Sequence, residues 1–186
     1  MTRIGLLFGS FNPVHKGHLA VARAALAQAD CDEVWLFVQY HNKYKGQDDL
    51  LSIDHRLVMT RLATSSDNKI KVLPGASDMI TTLGILRKSH SQFALLMGQD
   101  LVASLPQWPD GEKILQEYHI YYYPRRHNLS PADLQHPHVH LLEAAGINIS
   151  SAEIRQCLAQ GHSITNLVPP PVAAYIQAHR LYSPTT

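Results

Sequence analysis

Apolar positions along this chain come in short runs, and longer stretches of helical period separate them. Arg3 to Phe8 (RIGLLF) is a compact apolar run that stops at Gly9 and predicts a buried strand. From about His18 to Ala29, Leu19, Ala22, Leu26 and Ala29 recur at helical spacing. Glu33 to Val38 (EVWLFV) predicts the second strand. Ser52 is placed to cap a helix whose apolar side carries Leu57, Met59 and Leu62. Strands are predicted at Lys69–Leu73 and Gln92–Met97, with a helix around Thr81–Lys88 between them. His119–Tyr123 and Val139–Leu142 follow as short strands, and Ser151–Gln160 and Pro170–His179 as closing helices. This alternation predicts an α/β fold, a doubly wound, mostly parallel sheet with helices on both faces. Pro124 to Pro137 is polar and predicts a loop.

Composition narrows the class. A chain of 186 residues, 45% hydrophobic and 17% charged, fits one domain over residues 1–186 with a sizeable core. The formal net charge of +1 supplies no bulk field for nucleic acid or an anionic membrane, so neither is an expected partner. No apolar run approaches the roughly 18 residues of a membrane span, and MTRIGLLFGSF lacks the layout of a signal peptide. Cys31 and Cys157 have no CxxC or zinc-finger spacing and read as reduced thiols of a cytoplasmic protein. Self-association into a homo-oligomer is left open by the sequence.

The segment Gly9-Ser10-Phe11-Asn12-Pro13-Val14-His15-Lys16-Gly17-His18 lies where the first strand hands over to the first helix. Helix N-termini there present N–H groups without intrahelical partners at the positive end of the dipole, a natural phosphate site. Gly9 would admit a phosphate close to the backbone, and Gly17 would allow tight packing at the helix start. His15 and His18 fall on one side of the first turn, where two imidazoles can donate to phosphate oxygens. The plain alternative is a polar turn with two exposed histidines. Neither GxxxxGK[ST] nor GxGxxG is present, and HxxH without a third ligand is poor support for a metal, so no protein metal site is expected.

Two later segments fit the same ligand. Ser150 and Ser151 precede an amphipathic helix with Arg155 about one turn inside, offering hydroxyls, N–H donors and a guanidinium to phosphate. Gly98 and Asp100 close the Gln92–Met97 strand at the ligand edge of such a sheet, where Asp100 could accept from ribose hydroxyls. Trp108, in a Pro-flanked loop, offers a flat face to a nucleobase or pyridine ring.

GSFNPVHKGHL resembles the GxFDPxHxGH signature of the nucleotidyltransferase superfamily, with Asn12 at the usual Asp. Ile149-Ser150-Ser151-Ala152-Glu153-Ile154-Arg155 is similar to its ISSTxIR motif, with Ala152 at the usual Thr. The GxD…W pattern of Gly98, Asp100 and Trp108, and the tail from Gly161 to Tyr182, are most similar to bacterial nicotinate-nucleotide adenylyltransferases. The resemblance implies transfer of AMP from ATP to nicotinate mononucleotide, giving deamido-NAD and pyrophosphate. It implies ATP contacts at Gly9, Ser10, Phe11, His15, Gly17, His18, Gly98, Asp100, Ile149, Ser150, Ser151 and Arg155. Thr82 and Trp108 would meet the pyridine mononucleotide, and Lys45 (or Lys43) would bind phosphate. Catalysis would fall to His15, His18, Lys45 and Arg155, with Mg²⁺ carried mainly by the nucleotide phosphates. Asp54-His55-Arg56 resembles a family helix start, with Arg56 read as mainly structural. The Tyr and inner Asp of the family's SYTxDT-like segment are missing at Ala76–Leu83, which keeps nicotinamide mononucleotide as a second acceptor. A non-catalytic nucleotide-binding homologue is the alternative of another class.

Overall fold

A computed structural model describes residues 2–40, 50–76, 78–87, 91–124, 135–144 and 148–183. Six strands, β1 (Arg3–Gly9), β2 (Glu33–Val38), β3 (Ile70–Pro74), β4 (Gln92–Gly98), β5 (His119–Tyr123) and β6 (Val139–Leu141), form one sheet. Their order is β3-β2-β1-β4-β5-β6, and every pairing is parallel. The chain builds outward from β1 to β3, then returns to lay β4 on the other side of β1. That reversal opens a crevice at the C-terminal ends of β1 and β4, where open α/β sheets take their ligands.

The helices are α1 (Lys16–Gln28), α2 (Ile53–Thr64), α3 (Met79–Leu86), α4 (Gln99–Ser104), α5 (Gly111–Glu117), α6 (Ser151–Ala159) and α7 (Pro170–Ala178). A 3₁₀ turn at Leu105–Gln107 links α4 to α5. Because side chains alternate across a strand, neighbours part company: Leu7 and Leu96 join one core, Leu6 and Leu95 the other. The first core takes Leu19 and Ala22 of α1, Met59 of α2, Ile154 of α6, and Val172 and Ile176 of α7. The second takes Leu83 of α3, Val102 of α4, and Ile114 and Leu115 of α5. A sheet covered on both faces explains why its strands read as continuous apolar runs.

After β4 the chain forms two short helices that the sequence pattern does not announce: Gly98 N-caps α4, and a short turn carries the chain past Trp108 into α5. The turn is tight: a Cβ on Gly111 would stand 1.6 Å from the Leu105 carbonyl oxygen, so only glycine fits. The third helix begins at Met79, two residues before the expected Thr81, because the Asp78 side chain caps it by accepting from the Thr81 N–H. Most of the Pro124–Pro137 loop lies outside the described residues.

Candidate active site

β1 ends at Gly9, and the chain turns through Ser10–Val14 before α1 begins at Lys16. A Cβ on Gly9 would meet the Phe11 ring at 3.0 Å, so glycine lets that ring fold back beneath the turn. Phe11 sits at φ 47° and is buried, with its ring edge-on to His18 at 4.9 Å and 72°. The phenyl thus acts as a wedge that sets the imidazole. The Asn12–Pro13 peptide within the turn is cis.

His15 occupies the N-cap of α1, and its ring stacks on His18 with centroids 3.6 Å apart and planes inclined by 25°. At 5% exposure His15 is no free surface histidine, which removes the plain alternative of two solvated rings. The His15 N–H donates to His18 Nδ1 at 3.2 Å. A ring nitrogen that accepts a hydrogen bond carries no proton, so a neutral His18 holds its hydrogen on Nε2. The fold therefore leaves Nε2 as the donor.

The N-terminus of α6 docks on the same turn. Arg155 Nη1 donates to the Asn12 carbonyl at 2.9 Å, and Ser151 Oγ donates to the Pro13 carbonyl at 2.9 Å. The late arginine thus reaches back 143 positions to the turn that leads into the two histidines. Asn12 is the junction. Its side-chain Oδ1 accepts from the Tyr182 hydroxyl at 2.7 Å and from the Leu51 N–H at 3.3 Å. Burial pushes the Tyr182 phenol well above its ordinary range, against the opposing pull of the Arg155 and Arg56 guanidiniums. Nothing in the sequence pointed to Tyr182, and the one signal was its place at the end of the family-like tail.

Beneath the turn lies Arg56, 1% exposed. It donates to the carbonyls of Leu51 (2.8 Å), Ser10 (2.9 Å), Gln39 (2.6 Å) and Tyr40 (3.3 Å). Burial lowers its pKa, with Tyr182 opposing. Its donors go to backbone, so it ties the ends of β1 and β2 to the start of α2, in line with the structural reading of the sequence.

The hydroxyls expected to face phosphate have partners within the protein. The Ser150 hydroxyl and N–H are bound to Glu153 Oε2 at 2.8 and 3.0 Å in a capping box, and Ser151 Oγ is spent on Pro13. Likewise the Lys16 N–H at the start of α1 donates to the Leu167 carbonyl at 3.0 Å. The polar groups this turn can offer a ligand are thus chiefly imidazole and guanidinium. Gly98 ends β4 beside β1, and Asp100 stands in the first turn of α4. Trp108 follows the 3₁₀ turn and donates from Nε1 to Ser104 Oγ at 3.1 Å. Thr82 is buried, its hydroxyl donating to the Asp78 carbonyl (2.9 Å) and accepting from the Ala76 N–H (3.1 Å). It braces the turn ahead of α3. Lys43 and Lys45 lie outside the described residues. Among the described residues no group of three His, Cys, Asp or Glu side chains could hold a metal ion.

A cavity of about 680 Å³ lined by Thr2, Asp32, Glu33, Asn68 and Lys69 sits at the opposite edge, where β2 and β3 begin. It lacks the phosphate-directed groups just described, so we assign it no part in the chemistry.

Comparison with known proteins agrees with this geometry. Residues 6–157 match the cytidylyltransferase-like family. A Flavobacterium johnsoniae protein named probable nicotinate-nucleotide adenylyltransferase is 37% identical over 97% of this chain and 98% of its own length. A protein of the same name from Flavobacterium psychrophilum is 38% identical with the same coverage. Among solved structures, a Plasmodium falciparum nicotinic acid mononucleotide adenylyltransferase complexed with NaAD superposes with a TM-score of 0.82 at 22% identity, covering 98% of both chains. By sequence and by fold, the chain belongs to the cytidylyltransferase-like nucleotidyltransferases, in the branch of the nicotinate-nucleotide adenylyltransferases.

Proposed function

We propose that residues 1–186 act as one catalytic domain that transfers AMP from ATP to nicotinate mononucleotide, forming deamido-NAD and releasing pyrophosphate. An oxygen of the mononucleotide phosphate attacks the α-phosphorus in line. The bond from that phosphorus to the bridging oxygen of the β-phosphate breaks, and pyrophosphate leaves with the electron pair. A phosphate monoester is already anionic, so the protein need supply no strong base; its work is positioning and charge stabilisation.

Supporting this reading most directly are the stacked His15 and His18 at the β1/β4 switch point and the docking of Arg155 on the Asn12 carbonyl of the same turn. His18 Nε2 donates to the transferring group, and His15 holds it in line from the N-cap. Arg155 and Lys45 neutralise the departing pyrophosphate. ATP enters with Mg²⁺ on its phosphates, in keeping with the acid-poor turn. Gly98 and Asp100 take the adenosine ribose, and Trp108 stacks on the pyridine ring while Thr82 holds the neighbouring turn. The names of the relatives favour nicotinate as the acceptor over nicotinamide.

Pyrophosphate release with ATP, Mg²⁺ and each mononucleotide tests the proposal. Turnover with nicotinate mononucleotide above that with nicotinamide mononucleotide is expected. ATP binding without product from either acceptor would leave only a nucleotide-binding homologue.

A further inference from the structure

The tail beyond α7 reaches back to the first turn. It gets there through two non-glycine residues in the left-handed region, Arg180 at φ 49° and Tyr182 at φ 61°. Side chains seldom adopt that conformation, and a residue held there is held by its surroundings. Leu181 between them is buried, and its N–H donates to the Ile176 carbonyl at 3.0 Å, which closes α7. The outcome is that a phenol from the end of the described chain lies under residue 12.

We infer that Tyr182 is a positioning residue for the phosphate-binding arginine: its hydroxyl orients Asn12, whose carbonyl in turn holds Arg155. This rests on the adenylyl-transfer reading above. Each link is a short hydrogen bond, Tyr182 Oη to Asn12 Oδ1 at 2.7 Å and Arg155 Nη1 to Asn12 O at 2.9 Å. Asn12 is 5% exposed, so bulk water is poorly placed to replace the phenol as a partner for Oδ1. The Leu51 N–H shares that oxygen at a longer 3.3 Å and leaves the tyrosine as the stronger constraint. The bond to Asn12 uses Arg155 at Nη1, and the guanidinium has further donors for an oxyanion.

Tyr182→Phe keeps the ring and removes only the hydroxyl. One neutral hydrogen bond corresponds to about a fivefold effect, so KM for ATP should rise roughly two- to tenfold while kcat stays close to the parent value. The same substitution in an Arg155→Ala background should leave KM for ATP unchanged from Arg155→Ala alone, because the arginine it serves is gone. A merely structural role moves Tm and gives no such background dependence. Calorimetric titration of the full chain with Mg-ATP, well below its Tm, reads the same effect without turnover. The transfer reading is judged apart, by whether the parent protein makes product. An unchanged ATP affinity in Y182F, with or without a lower Tm, overturns the inference. So does an equal loss in both backgrounds.

Discussion

Replacing His18 by Asn and by Gln separates the two jobs of one imidazole. Nδ1 accepts the His15 N–H at 3.2 Å, and in the proposed transfer Nε2 is the donor to the transferring phosphoryl group. An asparagine amide can reach the position of Nδ1 but not that of Nε2; a glutamine amide extends to Nε2 and gives up the local acceptor. Loss of one preorganised donor to a developing oxyanion costs on the order of 100- to 1,000-fold in kcat, about 3–4 kcal/mol. Loss of a local capping bond costs about 1 kcal/mol of stability, or roughly 2–4 °C in Tm for a chain of this size. His18→Asn should therefore keep most of its Tm and lose nearly all turnover, as should His18→Ala with a lower Tm. His18→Gln should retain at least tenfold more kcat than His18→Asn, with the lower Tm of the two. Steady-state pyrophosphate release and thermal denaturation on the same preparations read both axes. Near-parental turnover in His18→Asn, or no advantage for Gln, would refute the assignment of Nε2.

Arg155→Ala removes a charge-assisted donor worth about 1.5–3 kcal/mol, so kcat/KM for ATP should fall roughly 10- to 100-fold, more than it falls for Arg155→Lys. Arg56→Met strands carbonyls of Leu51, Ser10, Gln39 and Tyr40 in the interior, at a cost of about 3 kcal/mol or more. A drop in Tm of roughly 6–12 °C should follow, and a smaller one would mean that water reaches those carbonyls. Burial pushes the Cys31 thiol from 9.0 up to about 11, so the folded state keeps a proton that the unfolded chain has lost. That contribution is complete below pH 9 and is lost as pH rises toward 11. Urea titrations across that window should show stability falling, and less steeply in Cys31→Ala. In the native protein at pH 8, a thiol reagent should label the half-buried Cys157 and reach Cys31 only on unfolding.

Much of this fold was legible because its strands are covered on both faces. Glu33–Val38 and His119–Tyr123 stand out as runs of apolar and aromatic residues, and the structure keeps those limits. The six- and seven-residue helices α4 and α5 were not legible, since two turns or fewer leave no period to detect. Their positions come from backbone contacts, such as Gly111 against the Leu105 carbonyl. At the site, residue type and spacing singled out His15, His18 and Arg155 as candidates, and the fold sets all three on or against the segment from Asn12 to His18. The Ser150–Glu153 capping box follows a local S-x-x-E spacing, whereas the bond of Ser151 to the Pro13 carbonyl, 138 positions away, could not be read. The tyrosine under Asn12 was further out of reach: the two are 170 positions apart, and no local pattern ties them together.

Adenylyl transfer as proposed requires one triphosphate to be held jointly by His15, His18 and Arg155. Side-chain ¹⁵N NMR of the full-length protein, titrated with Mg²⁺ and a non-hydrolysable ATP analogue, tests it most directly. Both imidazoles and the Arg155 guanidinium should shift together along one binding isotherm. Histidine signals that saturate while Arg155 stays unmoved would contradict it.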